Sequence, residues 1–186
     1  ARASASQFPQ VRQLAAVLAR KKCIRHWGMV SAEEQEAIKG MLLHSLGNET
    51  EHLVRRGVAD VISAIAKVAL PARQWDNLLQ YLFECSQSTR PEHREVALVV
   101  FMSLTDTIGD LLRPHFQQLV QIFLNGMADA AQHVRVVAVK AVSTLLQWLQ
   151  SPAEFQLGAQ LLNPVMEVVQ KCIQAGDEDT ASQAIE

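Results

Sequence analysis

Chain breakers are scarce in this protein. Its 186 residues include 8 glycines and 6 prolines, where average usage would make the two together roughly 12%. So few breakers exclude a loop-rich or collagen-like chain and leave room for long elements. Cysteine is scarce too. Cys23, Cys85 and Cys172 are odd in number and far apart, with no Cys-x-x-Cys pair. That argues against a disulfide framework or a zinc site and for the reduced thiols of a cytosolic or nuclear protein. The longest apolar run, Val96 to Met102, is too short to span a bilayer. No signal-peptide pattern opens the sequence, and no membrane is expected as a partner. The net charge of −2 gives no footprint for direct nucleic-acid binding, which needs a clearly basic face. The chain opens on Ala rather than Met, as a processed piece would.

What is abundant is aliphatic residue in a repeating pattern. Arg-x-(Leu/Val)-Ala occurs at Arg12–Ala15, Arg56–Ala59, Arg94–Ala97 and Arg135–Ala138, with Arg-to-Arg spacings of 44, 38 and 41. Four tetrapeptides are weak by themselves, but their period falls near the roughly 40–47 residues of a two-helix HEAT unit. After Arg56, the residues Val58, Val61, Ile62 and Ile65 fall at the i, i+3, i+4, i+7 spacing of one buried helical stripe. After Arg135, Val137, Ala138, Ala141, Val142 and Leu145 do the same. These read as second helices of antiparallel pairs.

First helices precede them. Ser31-Ala-Glu-Glu34 has the capping-box pattern, with Ile38, Leu42 and Leu46 on the buried side. Pro71 precedes a helix facing inward through Trp75, Leu78, Leu79 and Leu82. Pro114 suits a first helical turn ahead of Phe116, Leu119, Val120 and Phe123. Pro164 opens a further helix through Val168 and Ile173, with residues 151–163 as a helical connector. Asp177–Thr180 reads as a turn between helices. The expected fold is all-α, a HEAT-repeat solenoid of stacked antiparallel helix pairs with about nine helices. Its predicted parts are a polar lead (1–10), a second helix of a truncated repeat (11–30) and repeats at 31–70, 71–110 and 111–150. A connector with a truncated repeat (151–186) follows.

Asp129-x-x-x-x-Val134-Arg135-x-x-Ala138 follows the HEAT consensus, in which Asp and Arg of neighbouring repeats pair as a ladder. The matching positions elsewhere are Ser6, Thr50 and Ser88. The ladder is therefore expected to be incomplete and of little weight.

Nothing points to catalysis or to a cofactor. The six histidines fall near predicted helix ends or turns without His-x-x-x-His pairs, so they lack the convergent spacing of a ligand set. No phosphate loop, nucleophile elbow or kinase-type set is present. Glu33, Glu34 and Glu36 suit the first turns of a helix, where the macrodipole favours negative charge. Arg20-Lys21-Lys22 with Arg25 is the densest basic cluster. A solvated helix C-terminus explains it most simply, and a contact patch for an acidic partner is the alternative.

The order of these segments resembles the N-terminal motif of the importin-β family of nuclear transport receptors. The helix Arg12-Gln-Leu-Ala-Ala-Val-Leu18 is followed by a basic segment with Ile24 and Trp27. Then come Ile38, Lys39, Leu42 and Leu43, the pair Val54-Arg55, Trp75–Leu79 and Arg94–Leu98. Residues 10–26, 83–98 and 171–179 are most similar to plant and algal forms of one of its subgroups. The resemblance implies a receptor that shuttles between cytoplasm and nucleus. It would bind the GTP form of the small GTPase Ran, FG-repeat nucleoporins, and basic cargo such as histones or ribosomal proteins. It also implies that Ran docks on the second helices of the first repeats, which makes Arg20, Lys21, Asp60, Lys67 and Asp106 the candidate contact residues.

Overall fold

The computed structural model describes residues 8–174 and Gly176. Most of the polar lead and the expected turn at Asp177–Thr180 lie outside that range. Eight α-helices follow one another: α1 (Pro9–His26), α2 (Ala32–Asn48), α3 (His52–Ala69), α4 (Asn77–Ser86), α5 (Pro91–Leu112), α6 (Phe116–Met127), α7 (Gln132–Leu146) and α8 (Pro152–Gln174). Two 3₁₀ turns, Trp27–Met29 and Arg113–His115, complete the described residues, which contain no strand. The chain is an all-α, HEAT-type repeat protein. It divides into two compact units, Ala1–Asn77 and Leu78–Glu186.

Local chemistry sets the helix starts. Pro9 and Pro91 sit in the first turns of α1 and α5, where a missing N–H leaves nothing unsatisfied. The capping box of α2 is formed: Glu34 N–H donates to Ser31 Oγ at 3.3 Å, and Ser31 N–H to the Glu34 carboxylate at 3.2 Å. A second box starts α8, where Ser151 N–H donates to Glu154 at 2.9 Å and Glu154 N–H to Ser151 Oγ at 3.2 Å.

In the first unit α3 packs against both α1 and α2, presenting Val54, Val58, Val61, Ile62 and Ile65 inward. Ala16 of α1 is buried against it. A Cβ on Gly57 would meet Ala16 Cβ at 3.0 Å, so glycine permits the close approach of α1 and α3. In the second unit α5 runs along α7, α6 pairs with α7, and α8 lies against α6 and α7. Second helices thus pack on second helices, and the first helices α6 and α8 pack on each other. Phe101, Leu104, Leu119, Phe123 and Leu145 fill the core between them.

Several sequence expectations need correction. Trp75 precedes α4 instead of lying on it, because the chain turns through Arg73 at φ 53°. Trp75 is nonetheless buried, as is Trp27. His44 lies about one turn before the end of α2, where Asn48 donates to its carbonyl. Pro164 does not open a helix: α8 runs unbroken from Pro152 to Gln174. An interior proline costs ~3 kcal/mol. Gly158 and Leu161 before it, and Val168, Val169 and Cys172 after it, are all buried on one side of the helix. That shared packing keeps the segment one continuous helix through the proline.

The repeat arginine in the second helix pair is Arg55, not Arg56. Arg55 is 4% exposed and donates to the carbonyls of Glu49 and Thr50. Arg94 donates in the same way to Ser88 O, and Arg135 to Asp129 O and Ala130 O. With this register the spacings become 43, 39 and 41, and Glu49 falls at the acidic ladder position. Two rungs form. Arg12 makes a bidentate pair with Glu49 at 2.9 Å, and Arg94 one with Asp129 at 2.6 and 2.8 Å. Such forked, partly buried pairs are the strong kind, so the ladder carries more weight than the sequence suggested. Burial pushes the Glu49 carboxyl up. The Arg12 guanidinium and the backbone N–H groups of Glu51 and Thr50 outweigh it and hold the group below the usual carboxylate range.

Candidate functional site

The second helices carry all five candidate contact residues. In the first unit α1 supplies Arg20 and Lys21, and α3 supplies Asp60 and Lys67. Because α1 lies along α3, Arg20 Nη1 comes to 3.8 Å from Asp60 Oδ2, with both side chains about half exposed, at 54% and 55%. Lys21 lines the same cleft, which has a volume of about 310 Å³ and an aliphatic floor of Ala16, Val17 and Ile24 beside Gly57. Lys67 follows Asp60 by seven residues, about two helical turns, and so shares its side of α3. Three of the candidates therefore meet at one cleft, and Lys67 extends that side. Asp106 belongs to the second unit, exposed on α5 two residues before the break at Ile108.

An exposed pair at 3.8 Å is weak and screened by salt. It leaves Arg20, Lys21 and Asp60 available to a partner without loss of fold. The arrangement is an open cleft of exposed charges over aliphatic side chains, and none of its lining residues is a buried acid, base or nucleophile. Among the described residues no three His, Cys, Asp or Glu side chains group as metal ligands.

A larger groove of about 370 Å³ lies between α1 and α2 with α3 as its floor. The Arg12–Glu49 pair and Cys23 are in its wall. Burial pushes the Cys23 thiol above its usual range, which disfavours the reactive thiolate.

One residue had a signal in the sequence but no role assigned to it. Lys39 is 2% exposed in the apolar stripe of α2. Its ammonium pairs with Glu36 at 2.5 Å, donates to the Gln74 carbonyl and lies 5.9 Å from the Trp75 ring centroid. It fastens the segment after α3 to α2. A lysine between Ile38 and Leu42 was the visible cue.

Comparison with known proteins decides the family. Residues 50–186 match the family described as IPO5-like, TPR repeats, and residues 2–48 match the importin-beta N-terminal domain. The chain belongs to the importin-β family. Its pairs repeat at 39 to 43 residues, longer than the 34 of a TPR unit, so they are HEAT-like in length. This importin-β chain is 39% identical over 100 residues to probable importin subunit beta-4 of Schizosaccharomyces pombe, covering 54% of the chain and 9% of that relative. It is 28% identical over 180 residues to human importin-4, covering 96% and 16%. Kap121p in its solved structure is similar at TM-score 0.79 and 28% identity, covering 98% of the chain and 17% of Kap121p. The complex of Kap121p with Nup53p gives 0.78. The chain therefore spans less than a fifth of the length of these relatives.

Proposed function

We propose that this chain is the part of a nuclear import receptor that reads the nucleotide state of Ran, binding the GTP form in preference to the GDP form. The observation that carries this reading is the packing of second helices side by side, α1 on α3 and α5 on α7. On the first of these pairs Arg20, Lys21 and Asp60 converge at one open cleft. A face of mixed, loosely paired charge suits a protein partner that is itself mixed in charge, and it contributes on-rate and specificity. Asp106 on α5 and Lys67 on α3 are the further contacts of this reading.

The longer receptor would shuttle between cytoplasm and nucleus. It would touch FG-repeat nucleoporins and would carry basic cargo such as histones or ribosomal proteins; Kap121p, similar to this chain, has been solved bound to Nup53p. The first-helix layer, here α6 and α8, is the side proposed for FG contacts. α8 leaves Phe155, Leu162 and Met166 exposed.

The test is a pull-down of Ran loaded with GTP or GDP on immobilised chain. GTP-selective capture is the expected result. Equal capture in both states, or none, would leave a helical-repeat scaffold without a transport role.

A further inference from the structure

The charge of the protein is unevenly placed. Its net charge is −2, yet α1 carries Arg12, Arg20, Lys21, Lys22 and Arg25 and neither Asp nor Glu. Arg12 is engaged by Glu49. Among the described residues Arg20 has only the long contact to Asp60. Lys21, Lys22 and Arg25 are exposed, and among the described residues none of them pairs with a carboxylate. A solvated helix C-terminus would account for these cations by the dipole alone. It would not account for what lies beside them. Ile24 is 62% exposed and Val17 44% exposed, and both line the cleft of about 310 Å³ whose rim is Arg20, Lys21 and Asp60. Cations and aliphatic side chains share one concave site.

We propose that the α1–α3 cleft captures an acidic segment of its protein partner that carries an apolar side chain among its carboxylates. The proposal rests on reading this face as the one that meets the GTPase, and it names what the partner brings. A partner carboxylate displaces Asp60 from Arg20 and is shared with Lys21. The adjacent apolar side chain fills the cleft over Val17 and Ile24. Lys22 and Arg25 draw the segment in from a distance. Asp60 on the opposite rim disfavours a uniform polyanion. The aliphatic floor offers no aromatic platform, which single-stranded nucleic acid uses for stacking. An acidic protein segment fits the cleft better than nucleic acid or an anionic lipid surface.

The experiment is fluorescence anisotropy with the complete chain and two short fluorescein-labelled peptides of Glu and Asp, one with a central Leu and one with Ser in its place. The Leu peptide is expected to bind about fivefold more tightly, the effect of one aliphatic group leaving water. Arg20→Glu with Lys21→Glu should weaken both peptides roughly tenfold at low salt. Ile24→Ser alters an exposed position and should leave the thermal midpoint unchanged. It should bring the Leu peptide down to the affinity of the Ser peptide and leave the Ser peptide as it was.

Equal affinity of the two peptides, a Leu preference that survives Ile24→Ser, or tighter binding to phosphatidylserine vesicles or a single-stranded oligonucleotide would overturn the proposal. Ran-GTP binding by the same proteins separates the two levels. GTP-selective binding untouched by Ile24→Ser sinks the cleft proposal alone. Absence of GTP selectivity in the unmodified chain sinks the GTPase reading, while the peptides still test the cleft by themselves.

Discussion

Ala59, Ala97 and Ala138 are each 0% exposed; Ala97 and Ala138 stand three residues after their repeat arginines, the place Val58 takes after Arg55. A fully buried methyl group in a close-packed core cannot grow without displacing its neighbours. Replacing Ala97 by Leu forces extra carbons into a filled core, a change that costs about 1–3 kcal/mol. In a chain of this size each kcal/mol lowers the thermal midpoint by roughly 2–4 °C. Thermal unfolding followed by circular dichroism should therefore show a clear downward shift for Ala97→Leu. An unchanged midpoint would mean that Ala97 does not sit at a tight helix contact. At the same scale Trp148 has a defined seat: a Cβ on Gly109 would come within 2.5 Å of its ring. That contact coincides with the non-helical backbone at Ile108 in α5, a break to which nothing in the linear pattern pointed.

The ends of the elements are held by charge, and Glu154 shows how. It accepts the N–H groups of Gln150 and Ser151 at the start of α8 and receives Arg113 at 2.5 Å. Those backbone hydrogen bonds, with Arg113 behind them, hold its carboxyl down to about 2. An unfolded glutamate titrates at about 4.3, so the folded state favours the ionised form. The stabilisation is complete above that value and is lost as the pH falls from about 4.3 towards 2. Glu154→Gln should lower stability at neutral pH, and the gap from the parent should close across that acid range in urea unfolding at stepped pH. A gap that stays constant with pH would show that the charge of Glu154 contributes nothing.

The legibility of the chain also divides at the level of elements. Apolar periodicity and capping chemistry are local, so α2, α3, α5, α6 and α7 could be read from spacing alone. The one-residue choice between Arg55 and Arg56 could not: only Arg56 fits Arg-x-(Leu/Val)-Ala, yet Arg55 is the one that is buried and bonded to the turn before α3. That slip hid Glu49 as a ladder residue. The continuity of α8 through Pro164 was hidden for a similar reason: local propensity favours a break there, and packing on α6 and α7 overrides it. At the candidate face, the sequence supplied the residue types. The meeting of Arg20, Lys21 and Asp60 depends on α1 lying against α3, a contact between residues some forty positions apart.

At the scale of the whole molecule, function is a matter of repeated surfaces. Repeat arrays of this kind touch only their neighbours, so a partner gains area by spanning several second helices at once. Within the first unit the cleft between α1 and α3 is one such step, and within the second unit α5 beside α7 is another. The proposed function has this second-helix face contact Ran in its GTP form. It is tested most directly by titrating Ran-GTP against the parent chain and the Arg20→Glu, Lys21→Glu double variant, at low and at near-physiological salt. Both positions are exposed and glutamate is a good helix former, so the variant should match the parent in helical content and thermal midpoint. The variant should bind more weakly, with the deficit larger at low salt, where charges act over longer distances. A folded variant that binds Ran-GTP as tightly as the parent at both salt concentrations would contradict it.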